Sequence, residues 1–278
     1  MSLLRVRRNV SDLARLTAFY RDALGFEPGL QGSLETQRLR LGAQEIELTL
    51  TGATSRPGGT GADPWFQHVA VVTTDIEAAV ARVLQCGAVP ISRGGPQHLP
   101  PEAGRVAAFK FRDPDGHPLE LIQFPPGSPW DTGAAGLTLG YDHSALSVVD
   151  TERSIAFYTG LLGFGMTARQ VNHGPAQDRL DGMDGVHVDV VTLTPAGQGT
   201  PHVELLGYHG AKASTAAWSA SDIVADCLVL QVSDVAATAA VLFAAGHPPF
   251  ARGADGLLAR DPSGHVLMCV GPQAASVA

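Results

Sequence analysis

The feature that most constrains this chain is that it repeats itself. Phe19-Tyr20 followed by Leu24-Gly25-Phe26 returns as Phe157-Tyr158 followed by Leu162-Gly163-Phe164, displaced by 138 residues. Asp113-Pro114-Asp115-Gly116-His117 returns as Asp261-Pro262-Ser263-Gly264-His265, displaced by 148. A pattern that returns in order implies a structural unit used again, so the chain reads as two related halves. The second half carries about ten additional residues between its two markers.

Each half is doubled once more. A short apolar strand ends in Asp12, Asp75, Asp150 and Asp234, and a helical pattern follows each time. Aspartate in that place accepts from the free N–H groups of the first helical turn. Leu13, Leu16, Tyr20 and Leu24 mark the first helix, and Ile155, Tyr158 and Leu162 the third. The second (76–86) and fourth (235–245) are rich in alanine and stop at Gly87 and Gly246. Short alternating strands follow each helix, and the Asp-Pro-x-Gly segments at Asp113 and Asp261 read as tight turns between strands. One strand, one helix and about three strands make a unit too small to cover both faces of its own sheet, so units must pair. The expected fold is α+β: four βαβββ units forming two cup-shaped, partly closed sheets with helices outside. The first domain spans 1–126 (units at 3–51 and 65–125), a glycine-rich linker 127–139, and the second domain 140–272 (units at 140–210 and 222–271).

Composition narrows the partners. Lys+Arg is 19 against 27 Asp+Glu, a net charge of −8, which disfavours sequence-independent nucleic-acid binding. No apolar run approaches the ~20 residues of a membrane span, and no apolar stretch follows Arg5, Arg7 and Arg8 as in a secretory leader. Cys86, Cys227 and Cys269 are odd in number and show no C-x-x-C spacing, which favours neither a disulfide framework nor a zinc ribbon. The expectation is a cytoplasmic monomer or homodimer with a small-molecule partner, no nucleic acid and no membrane.

Seven residues before the four capping aspartates stand Arg5, His68, His143 and Cys227. Strand alternation puts His143, Ala145 and Ser147 on one face, and His68, Ala70 and Val72 likewise. In the last strand of each unit the equivalent positions are Glu47, Glu120, Glu204 and Met268. A glutamate between two branched aliphatics costs free energy unless it is paired or binds a cation. A salt bridge or a wet sheet face explains one such residue. The repeated His-plus-Glu pair of the two middle units favours a metal. His202, two residues before Glu204, shares its face. Arg5 is expected to bridge Glu47, and Cys227 and Met268 to fill apolar space. His117 and His265 follow turn glycines and read as structural. The segments 92–104 and 170–185 read as loops able to cover a pocket, or as disordered edges. Trp65, Trp130 and Trp218 are too scattered to suggest a stacking platform.

The segments 18–26, 155–164 and 113–121 resemble the vicinal oxygen chelate superfamily of glyoxalase I, bleomycin-resistance proteins and extradiol dioxygenases. The resemblance implies two units closing a cup around one divalent metal, with ligands from the first and last strand of each unit. If each half folds on itself, one cup holds Arg5, Glu47, His68 and Glu120 and the other His143, Glu204, Cys227 and Met268. In glyoxalase-like arrangements units instead pair across domains, the expected case, which would gather His68, Glu120, His143 and Glu204 in one cup. Arg5, Glu47, Cys227 and Met268 would share the other. The first set suits Ni, Co, Mn, Fe or Zn with two open positions. The implied activity is that of a metal-dependent lyase or isomerase acting on a small substrate with vicinal oxygens through an enediolate, with Glu120 or Glu204 as catalytic base. The alternatives are an iron-dependent ring-cleaving dioxygenase and a metal-free binding protein of the drug-resistance type.

Overall fold

The computed structural model describes residues 1–52, 59–211, 218–253 and 256–272. The first unit comprises β1 (Ser2–Val10), α1 (Leu13–Leu24), β2 (Glu27–Gly32), β3 (Thr36–Leu41) and β4 (Gln44–Leu50). The second comprises β5 (Gln67–Thr73), α2 (Ile76–Gln85), β6 (Val89–Pro90), β7 (Gln97–His98), β8 (Ala107–Arg112) and β9 (Pro118–Gln123). The third comprises β10 (Thr138–Ser147), α3 (Thr151–Ala156), β11 (Gly165–His173), α4 (Pro175–Asp181), β12 (His187–Thr194) and β13 (His202–Tyr208). The fourth comprises β14 (Cys227–Gln231), α5 (Val235–Ala244), β15 (Ala251–Gly253), β16 (Gly256–Arg260) and β17 (Val266–Val270).

All four aspartates cap their helices. Asp12, Asp75 and Asp150 accept from the N–H three residues on, and Asp234 from those of Ala236 and Ala237. Each such cap stabilises by about 1 kcal/mol. α1 ends at Gly25, whose φ of +76° is the left-handed conformation that glycine adopts without penalty. The third helix departs from its regular 3–4 spacing. After Ala156 it widens into a π-type turn over 157–161. There Thr159 turns its hydroxyl onto the Ile155 carbonyl, and Gly160 weakens the regular turn.

The sheets are built across the halves. One has eight strands in the order β15-β16-β17-β14-β1-β4-β3-β2, joining the first and fourth units. The other has nine strands along β11-β12-β13-β10-β5-β9-β8-β6, joining the second and third, with β7 beside β8. Both seams are antiparallel, β1 with β14 and β10 with β5. The main core lies on the faces that carry the helices, where Leu16, Phe19, Leu24, Val80, Val83 and Leu242 pack against buried strand residues of both sheets. The opposite faces are therefore left to form the cups.

One expectation needs correction. Segment 170–185 is neither a free loop nor a disordered edge. It completes β11 and forms α4, and the 92–104 segment holds it in place. The Arg93 N–H donates to the Arg179 carbonyl at 2.8 Å, the Ser92 hydroxyl to the Leu180 carbonyl at 2.8 Å, and Arg179 to Gln97 at 2.7 Å. Of the tryptophans, Trp65 and Trp218 meet edge to face at 5.6 Å, while Trp130 stands apart from them and donates to Asp142 of β10.

Candidate metal centre

Strand register assembles the site. Across the β10–β5 seam Ala145 faces His68 and His143 faces Ala70. Along the parallel pairs Glu120 lies beside Ala70 and Glu204 beside Ala145. Residues directly opposite in a sheet share a face. His68, Glu120, His143 and Glu204 therefore stand around a floor of two alanines. Their side chains line a cavity of about 260 Å³, with Leu99, Phe124 and Val190 on its apolar wall. His68, Glu120 and His143 offer donor atoms all within 4.8 Å of one another. His68 Nε2 is 2.9 Å from Glu120 Oε2, and His143 Nε2 is 3.5 Å from Glu204 Oε2.

The eight-stranded sheet repeats this framework with other side chains. Its floor positions are Arg7 and Val229 instead of alanine. Arg5 bridges Glu47 at 2.7 Å, Arg38 approaches the same carboxylate at 3.4 Å, and Arg7 donates to the Met268 sulfur at 3.5 Å. Cys227 is buried and its thiol is pushed up to about 12 by burial. Arginines and apolar groups thus fill the space where the other cup has room and donors.

The model of the glyoxalase/bleomycin resistance protein/dioxygenase superfamily matches residues 2–121 and again 140–269. The chain belongs to that superfamily. A Salmonella typhimurium virulence protein is 30% identical over 120 residues, which cover 41% of this chain and 78% of that protein. Glyoxalase I from Zea mays superposes with a TM-score of 0.67 at 19% identity, over 97% of this chain and 92% of that one. A proposed dioxygenase from Bacillus subtilis superposes with a TM-score of 0.58 at 14% identity, over 98% and 85%. At these identities the two structures speak for the fold alone.

The superfamily cup holds several ionisable groups that sequence pattern did not single out. Lys110 lies directly across from Glu120 in the β8–β9 pair, 4.0 Å from its Oε2, and binds Asp181 of α4 at 2.6 Å. It sits on the cup face because Phe109 and Phe111 take the core face, an alternation visible in the sequence. Asp181 has no equivalent signal, since α4 is peculiar to the third unit. Asp142 lies 3.1 Å from His143 Nδ1. His202 points inward as expected, its Nε2 3.6 Å from Glu204 and 3.7 Å from Asp142.

Burial alone would neutralise these groups, and mutual attraction decides otherwise. Burial lowers His143, but Glu204, Asp142 and Glu120 more than offset it and hold it up to about 9. Burial would raise Glu204, yet His143 and His202 hold it at about 2. For His68 burial wins, and its value falls below the ordinary one despite Glu120. Lys110 is held charged against burial, chiefly by Asp181.

The donor set fits a divalent ion. His68 Nε2 is buried against the Glu120 carboxylate at 2.9 Å, an imidazole–carboxylate pair that a shared divalent cation would suit, while its Nδ1 is buried without a hydrogen-bond partner. Three carboxylates (Glu120, Asp142, Glu204) line the cup, and the charge of Lys110 is already met by Asp181 behind it. That excess of negative charge suits a cation. Superfamily members typically bind a metal, and imidazole with carboxylate suits a broad range of divalent ions.

Proposed function

We propose that the nine-stranded cup binds one divalent metal through His68, Glu120, His143 and Glu204. We propose further that it works as a lyase or isomerase on a small substrate bearing two adjacent oxygens. The observation that carries this reading is the placement of the four side chains around the Ala70–Ala145 floor, with donor atoms of His68, Glu120 and His143 within 4.8 Å of one another. The bound ion would supply Lewis acidity to the substrate oxygens. The remaining work belongs to the chain. His143 must give up its proton to act as a ligand, so loading releases protons. Glu120 is held by His68 and Lys110. Glu204 is more accessible and makes only looser contacts of 3.5 and 3.6 Å. Glu204 is therefore the carboxylate free to move and take a proton from the carbon beside the substrate oxygens. His202 stands next to it to share that proton. Leu99, Phe124 and Val190 enclose the substrate's apolar part.

Elemental analysis of the purified protein, before and after chelation, tests the metal. One ion per chain is expected, and its loss in His68→Ala with the fold intact. Deuterium exchange from solvent into an α-hydroxyketone probe tests the base: Glu204→Gln should abolish it. Retention of full metal by both variants would refute the ligand set.

A second reading rests on the tight cluster His68, Glu120 and His143. Two histidines and one carboxylate are also the facial triad of non-haem iron oxygenases. Oxygen uptake on catechols by the Fe²⁺-loaded protein, with exchange activity absent, would favour it.

A further inference from the structure

A bulge in β10 turns Asp142 into the cup. Tyr141 pairs with Val71 and His143 with Ala70, so two steps along β10 match one along β5. Without the bulge, Tyr141 and His143 would share a face. With it, Tyr141 enters the core while Asp142 and His143 both line the cavity. Bulges re-aim side chains in this way.

Asp142 is held from both sides. Trp130, in the segment between the two halves, donates its indole N–H to Asp142 Oδ1 at 2.7 Å. The other oxygen, Oδ2, lies 3.1 Å from His143 Nδ1. Gly140 makes room for this contact, since a Cβ there would lie 2.9 Å from the Trp130 ring. The structure thus contains a relay from Trp130 through Asp142 to His143, whose Nε2 faces Glu204.

The duplicate sheet supplies an internal control. The same bulge recurs in β1 between Leu3 and Arg5. There the bulged residue is Leu4 and the histidine is replaced by Arg5. The bulge belongs to the fold, whereas the carboxylate accompanies the histidine.

We infer that Asp142, oriented by Trp130, is a positioning residue for His143. It accepts the Nδ1 proton, fixes the ring and its tautomer, and leaves Nε2 to the metal. This inference rests on the metal-binding reading above. A carboxylate on the far nitrogen of a histidine ligand orients the ring and raises its basicity, and its loss typically weakens metal affinity 10–100-fold.

The test titrates Co²⁺ or Zn²⁺ against a chromophoric chelator for wild type, Asp142→Ala, Asp142→Glu and Trp130→Phe. Nitrogen-15 NMR of the histidines in the Zn²⁺-loaded protein reads the tautomer. Asp142→Ala should bind about 10–100-fold more weakly at unchanged stoichiometry and lose the Nδ1–H signature of His143. Asp142→Glu should recover part of the affinity, and Trp130→Phe should lose less than Asp142→Ala. Equal affinity in Asp142→Ala, or metal on Nδ1 of His143, overturns the inference while leaving the metal reading intact. Two ions in wild type and one in Asp142→Ala would make Asp142 a ligand and overturn it too. A wild-type protein that binds no metal sinks both readings.

Discussion

Removing Asp181 should destabilise the protein by more than any single substitution on its surface. Lys110 and Asp181 have side-chain exposures of 5% and 1% and lie 2.6 Å apart. Gln177 donates to the second Asp181 oxygen at 2.8 Å. In Asp181→Ala the ammonium stays buried, with Glu120 Oε2 at 4.0 Å as its nearest remaining carboxylate contact. Breaking one side of a buried ion pair costs about 3–5 kcal/mol. At roughly 2–4 °C per kcal/mol for a chain near this size, Tm should fall by about 6–20 °C. The double variant Lys110→Met/Asp181→Leu removes both charges and should recover most of that loss, because desolvation of the pair nearly cancels its attraction. Thermal and urea unfolding of chelator-treated protein would measure both. The pair also touches the site. In Asp181→Ala, Lys110 should turn to Glu120 and compete for its carboxylate, lowering metal affinity; Lys110→Met should not. A loss under about 1 kcal/mol in Asp181→Ala, or a double variant no better than the single, would falsify the reasoning.

Acid should destabilise the protein partly through Asp113. Burial would raise this carboxyl, but His117 and Arg8 outweigh it and hold it at about 2, against 3.8 ordinarily. The resulting contribution, about 2 kcal/mol, is fully present above pH 3.8 and disappears as pH falls toward 2. Urea titrations between pH 6 and 2 should show this dependence reduced in Asp113→Asn. Filling the floor of the cup should weaken metal binding without unfolding: Ala70→Val copies Val229 of the other sheet, and isothermal titration should find about tenfold weaker binding or worse. In the eight-stranded cup, Arg5→Met removes the 2.7 Å partner of Glu47, leaves Arg38 at 3.4 Å, and should lower Tm with no change in metal content, which elemental analysis would check.

Repetition made the fold legible. Asp12, Asp75, Asp150 and Asp234 are local signals, each acting on the turn beside it, and all four hold in the structure. The face of His68 and His143 follows from strict alternation, which needs no tertiary information. Alternation is also what hid Asp142. A reader counting by twos puts it opposite His143, and the bulge that reverses this depends on how β10 meets β5. Lys110 was legible by parity, but its meaning was not, because Asp181 arrives on a helix with no counterpart in the other units. Trp130 carried no signal at all. Its role depends on a path through space from the interdomain segment to β10.

Why one cup keeps donors while its twin does not is a question of small residues as much as of ligands. Ala70 and Ala145 leave a hollow at the seam of the nine-stranded sheet, and burial around it makes charged histidine and glutamate expensive even where they meet one another. A cation bound there, as proposed above, would offset that cost. At the equivalent seam Arg7 and Val229 occupy the floor, and Arg5 and Arg38 neutralise Glu47 directly. The second arrangement neutralises its own glutamate from within. The carboxylate at the bulge follows the same division, Asp142 beside a histidine and Leu4 beside an arginine. Replacing the histidine by arginine removes the reason for the hollow, for the orienting carboxylate and for the open cavity together. The asymmetry therefore extends through floor, ligands and support in each sheet, and the eight-stranded cup is a self-neutralised core beside a candidate metal centre built on the same framework.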